Sequence, residues 1–149
     1  MRKLLPLALL CTLPATAAFA QDSCANRGDL DTQYCDANKD LVADTPTDPS
    51  KLKTPNTLVF TYTPVEDPAV YEKIFKPFVD NLSQCTGKRV VFFQVQSNAA
   101  EIEAMRAGRL HVGGFSTGPT AFAVNIAGAG PFAVKGYADH YQGYNLIVV

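Results

Sequence analysis

The chain has 149 residues, 47% of them hydrophobic, and its formal net charge of −1 leaves no basic excess for gripping nucleic acid. With 18% charged residues and an ordinary aliphatic and aromatic content it is also too apolar to be an intrinsically disordered tail.

In chain order, MRKLLPLALLCTLPATAAFA opens with Arg2 and Lys3, continues with an apolar run from Leu4 to Leu13, and leaves through Ala18-Phe19-Ala20. That is the layout of a secretory signal peptide over residues 1–20, cleaved after Ala20. The run is well short of the roughly 18–20 apolar residues that span a bilayer, so no direct membrane insertion is expected after cleavage. Cys11 follows Leu10 rather than a small residue, which argues against a lipid-attachment cysteine. Loss of Arg2 and Lys3 takes the formal charge from −1 to about −3, and about 129 residues remain, enough for one compact domain or part of a larger one. The expected location is extracytoplasmic.

Three cysteines stay in the mature chain, Cys24, Cys35 and Cys85, in a compartment that permits disulfides. A Cys24–Cys35 bridge would close a short polar loop; the odd count leaves the pairing open. Residues 21–57 are polar, rich in Asp and Pro and without helical or strand periodicity, so they read as an N-terminal extension stapled onto the domain. Within it, DANKDLVAD spaces Asp36, Asn38, Asp40 and Asp44 like the start of a calcium loop. Leu41 stands where such a loop needs glycine and Thr47 where it needs a bidentate Glu, which favours a solvated acidic loop. No metal-ligand spacing or cofactor motif occurs elsewhere; His111 on a strand and His140 in a polar loop read as structural or solvated.

From Leu58 the pattern changes. TLVFTY reads as a buried strand, and PAVYEKIFKPFVDNL carries Val70, Ile74, Phe75, Phe78, Val79 and Leu82 at helical spacing, with Pro77 expected to kink or restart the helix. KRVVFFQVQ is a second strand, AAEIEAMRAG a helix closed by Gly108, LHVGGF a third strand, PTAFAVNIAG a third helix and GPFAVKG a fourth strand. YNLIVV opens one more strand at the end of the sequence, an ending that suggests a truncated domain. Strands alternating with helices at this spacing predict an α/β fold with a mostly parallel sheet and flanking helices over residues 58–149.

Each of the first three strands then runs into a helix start bearing hydroxyls or amides. Thr63 with Pro64 and Glu66, or Asp67 with Pro68, can cap the first helix; Asn98 with Glu101 forms an amide capping box for the second; Ser116 or Thr117 caps the third, with Pro119 just inside. In a parallel sheet these junctions share one edge, where unpaired N–H groups and helix dipoles suit a small anion. Gly118 lets a ligand approach the backbone, and Ser116, Thr117 and Thr120 can donate to tetrahedral oxygens. Tyr62 and Phe115 can wall the crevice. STGPT lacks the lysine of a nucleotide-binding loop. Ser116 is the one plausible nucleophile for a secreted phosphoesterase, yet FSTGP is not a nucleophile elbow and no histidine is placed to serve it; no catalytic residue is assigned.

The stretches RGDLDTQYCDANKDLVADTPTDP, TYTPVEDPAVYEKIFKPFVDNL and, most specifically, SNAAEIEAMRAGRLHVGGFSTGP resemble the periplasmic solute-binding proteins of phosphate, phosphite and phosphonate ABC transporters. The resemblance implies a type II periplasmic-binding-protein fold, two α/β lobes that close on the ligand, with this chain forming most of the first lobe and GYNLIVV entering the hinge. It implies a non-enzymatic receptor that captures a phosphorus oxyanion and delivers it to an inner-membrane ABC permease. Carried residue by residue, it points to Tyr62, Thr63, Ser97, Asn98, Ser116, Thr117 and Thr120 as ligand contacts, while residues for any aminoalkyl group would come from a second lobe. A single-lobe sensor or interaction module is the alternative of a different class.

Overall fold

Thr57–Tyr62, β-branched and aromatic, forms β1, the central strand of a three-stranded parallel sheet of order β2-β1-β3. Strand β2 is Arg89–Phe92 and β3 is Val112–Gly114, registered as Thr57 opposite Arg89 on one side and Tyr62 opposite Gly114 on the other. Helix α1 (Pro68–Thr86) links β1 to β2, α2 (Asn98–Arg106) links β2 to β3, and α3 (Thr117–Ala127) follows β3. This computed structural model describes residues 24–64 and 67–140; the expected signal peptide, Glu66 of the expected capping box and YNLIVV lie outside them.

The two faces of the sheet are filled differently. Phe60 and Tyr62, two residues apart, point to the α1 side, where Phe60 meets Phe75 at 5.4 Å and Phe78 at 4.8 Å between ring centres. Ile102, Ala123 and Ala127 form a core between α2 and α3, with Met105 and Phe115 against it. Successive residues of β3 show that these are opposite faces: a side chain at Gly113 would strike Phe115 and Met105, and one at Gly114 would strike the Tyr62 ring.

Both outer strands are shorter than expected. Strand β3 stops at Gly114, opposite Tyr62, where β1 itself ends. Past β2 the pairing persists through the Phe93 N–H to the Phe60 carbonyl and through the Thr61 hydroxyl, which donates to the Phe93 carbonyl. The third strand starts at Val112 because the Val59 N–H is taken by Nδ1 of the His111 ring (3.0 Å) rather than by a backbone carbonyl. Helix α1 runs on through Pro77 to a left-handed Gly87 instead of restarting. GPFAVKG is not a fourth strand: the chain is irregular through Lys135, and Phe132 and Val134 are exposed. Only Gly136, at its end, makes an isolated bridge, so among the described residues the segment has no continuous ladder.

The N-terminal extension is attached through residues 24–36. Cys24 and Cys35 form a disulfide, and Cys85 is exposed and unbridged. Leu30 is buried, the Asp31 N–H donates to the Asn125 carbonyl (2.7 Å), and the Tyr34 ring covers Gly128 at the end of α3. In the acidic loop, the buried Asp36 carboxylate accepts the N–H groups of Asp40 and Leu41, and Asp44 accepts that of Ala37. These oxygens turn toward the backbone, and among the described residues no group of three or more His, Cys, Asp or Glu is placed to hold a metal ion. No described helix is long and apolar enough to cross a membrane.

Candidate functional site

Helix α3 begins directly at the end of β3, so its N-terminus opens at the carboxyl edge of the sheet. Ser116 is its N-cap in extended conformation (φ −76°, ψ 167°), but its side chain makes no capping hydrogen bond. The first turn is therefore left with the N–H groups of Thr117 and Gly118 and the Ser116 hydroxyl unspent on the helix, while Pro119 has no N–H to satisfy. Thr117 and Gly118 are exposed, and a side chain at Gly118 would meet nothing within 4 Å, so the backbone there faces open space.

Thr63 fixes this helix start to β1. It is 3% exposed; its N–H donates to the Gly114 carbonyl (2.8 Å), and its hydroxyl oxygen accepts the Ser116 N–H (3.2 Å). Tyr62 stands beside it, its ring held at 4.7 Å from Phe75 and 5.6 Å from Tyr71. Thr120, one turn into α3, donates its hydroxyl to the Ser116 carbonyl at 2.9 Å, so that proton is already engaged within the helix. Tyr62, Phe115 and Thr120 line a cavity of about 650 Å³ that runs along β3 beneath residues 129–135. Its lining includes Lys135 and no carboxylate.

The other two helix starts differ. Asn98 and Glu101 do not form a capping box: Ser97 is the N-cap of α2, its hydroxyl oxygen accepting the Ala100 N–H at 3.1 Å. Glu101 is instead the fourth residue of α2, on the stripe shared with Ile102 and Ala104, where it is fully buried. Neither of its oxygens has a hydrogen-bond partner, and the Asn98 Oδ1 one turn earlier is likewise buried without one. Burial pushes the Glu101 carboxyl up to about 8. Of the seven sequence-predicted contacts, Tyr62 and Thr120 line the cavity, whereas Thr63, Ser97, Asn98, Ser116 and Thr117 do not.

At α1 the cap is Asp67, whose carboxylate accepts the Ala69 N–H at 2.8 Å, with Pro68 in the first position. A carboxylate already answers that helix dipole, which makes α3 the helix start best suited to an added anion. Sequence reasoning missed Gly113 and Gly114 as the residues that let Phe115 and Tyr62 lie across the sheet. Their signal was two adjacent glycines inside a strand pattern.

Among the described residues no hydrogen bond or ion pair places a base at Ser116. Nδ1 of His111 accepts the Val59 N–H while the ring borders the cavity, and His140 sits in an exposed pair with Asp139, stacked on Tyr137.

The family model described as "ABC transporter, phosphonate, periplasmic substrate-binding protein" matches residues 60–149, more than half of the chain. A similar solved structure is a binding protein component of an ABC phosphonate transporter from Pseudomonas aeruginosa, at 25% identity and a TM-score of 0.46. That match covers 48% of this chain and 24% of the other, so the matched part spans about a quarter of that protein's length. No curated protein matches the sequence.

Proposed function

Since the chain belongs to the family of periplasmic substrate-binding proteins of phosphonate ABC transporters, we propose that it captures a phosphorus oxyanion (a phosphonate, phosphite or phosphate) outside the inner membrane and delivers it to an ABC permease. The family is a transport component and not an enzyme class. The observation that carries the reading is the uncapped start of α3, tied by Thr63 to the end of β1 inside the segment the family model matches.

There the Ser116 hydroxyl and the Thr117 and Gly118 N–H groups replace part of the ligand's water shell, aided by the positive end of the α3 dipole. The Tyr62 phenol supplies a further donor on an aromatic wall. Thr63 acts by holding the Ser116 backbone in place, and Thr120 by bracing the same turn. Ser97 and Asn98 bring the start of α2 to the same edge of the sheet. This chain forms much of the first lobe of a type II binding protein; a second lobe completes the site on closure and sets the choice among oxyanions.

Calorimetric titration of the intact secreted protein with methylphosphonate, phosphite and phosphate, beside glutamate and glucose, tests the reading. Saturable binding of at least one phosphorus oxyanion is expected. Preference for the amino acid or the sugar overturns it.

A further inference from the structure

Every donor placed so far at the start of α3 is neutral, whereas a phosphonate, phosphite or phosphate carries one or two negative charges. Neutral donors replace water hydrogen bonds but leave a second charge without compensation in a half-enclosed site. Among the described residues that line the cavity beside α3 there is no Asp or Glu, and Lys135 is the only lysine or arginine.

Lys135 is seated by the fold. Its Nζ lies over the Tyr62 ring, 5.8 Å from the ring centre, at the distance of a cation–π contact. The ring itself is pinned by Phe75 and Tyr71, so the ammonium rests on a fixed platform. Lys135 has no carboxylate partner among the described residues, unlike Lys76, which is paired with Asp80 one turn along α1. The irregular path of residues 129–135 brings it to the wall that also carries Thr120 of the first turn of α3. A strand at this segment, as its composition suggests, would have alternated its side chains instead.

We propose that Lys135 is a specificity-determining ligand contact, its ammonium over Tyr62 supplying the positive charge that makes the crevice favour doubly charged tetrahedral oxyanions over singly charged ones. The assignment rests on the reading of the crevice as an oxyanion site. A charge-assisted hydrogen bond from the exposed Lys135 replaces one of the ligand's strongest water contacts, and the Tyr62 face holds the ammonium beside the crevice.

The test compares the intact secreted protein with Lys135→Met, which keeps the stem and removes the charge, and Lys135→Arg, which keeps the charge. Each is titrated calorimetrically, at mildly alkaline pH, with methylphosphonate as a dianion and with its monomethyl ester as a permanent monoanion. Removing one charge-assisted contact is expected to weaken methylphosphonate binding by about 10- to 100-fold. The monoester should lose several-fold less, and Lys135→Arg should restore most of the affinity. Unchanged dianion binding in Lys135→Met, an equal loss for both ligands, or a loss that arginine does not restore each overturns the role of Lys135 while leaving the oxyanion reading intact. Wild-type protein that binds no phosphorus oxyanion overturns both.

Discussion

Glu101 offers the sharpest quantitative prediction. The carboxyl is fully buried on α2 with both oxygens unpartnered, and burial raises it from 4.5 to about 8. Between those values the native state keeps a proton that the unfolded chain releases, so stability falls as pH rises. The contribution is whole below about 4.5 and gone above about 8. The slope is at most about 1.4 kcal/mol per pH unit. Relaxation and water entry around the ionised group reduce the sum over the window to about 2–3 kcal/mol. Glu101→Gln removes the ionisation and keeps the shape. Urea unfolding followed by circular dichroism across this pH range should show the variant close to wild type at the acid end and more stable by that amount at the alkaline end. Taking the difference between the two proteins cancels every other titrating group, the histidines included. A difference that does not change with pH, or that favours wild type as pH rises, refutes the account of Glu101 as a neutral core residue.

Four further outcomes follow from the geometry. His111→Phe leaves the Val59 N–H without its acceptor and should destabilise the protein by about 1–3 kcal/mol, read from the urea midpoint. Thr63→Val removes the acceptor of the Ser116 N–H and should cost a similar amount of stability as well as ligand affinity, whereas Ser116→Ala should lower affinity with stability nearly unchanged; equal melting losses in both would contradict these separate roles. Gly114→Ala places a methyl group against the Tyr62 ring and should shift the tyrosine environment in near-ultraviolet circular dichroism, at a cost of about 1–3 kcal/mol. Replacing both Cys24 and Cys35 by serine opens a short loop and should lower stability by about 3 kcal/mol, with no such effect for Cys85→Ser.

The sequence by itself determined the order of elements and the α/β class. β-branched and aromatic runs and a period of 3.6 are local properties, and TLVFTY, VVFF and the apolar stripe of α1 carry them without help from the rest of the chain. The helix punctuation was equally local at Asp67-Pro68, Ser116 and Gly108, because caps act within one turn. The strand limits, the displaced cap at Ser97 and the burial of Glu101 were decided by tertiary structure. Strand β3 ends opposite Tyr62, where β1 ends, and Glu101 is buried because α2 packs the face that carries Ile102 against α3. Tertiary structure also decided which polar groups near the crevice remain available. Ser116, Thr120, Ser97 and Thr63 look alike in sequence, yet Thr120 and Ser97 are engaged within their helices, Thr63 holds a neighbouring backbone, and the Ser116 side chain makes no capping bond. Lys135 meets Tyr62 across more than seventy positions of sequence, a pairing that exists only because β1 and the chain after α3 are brought to the same edge of one sheet.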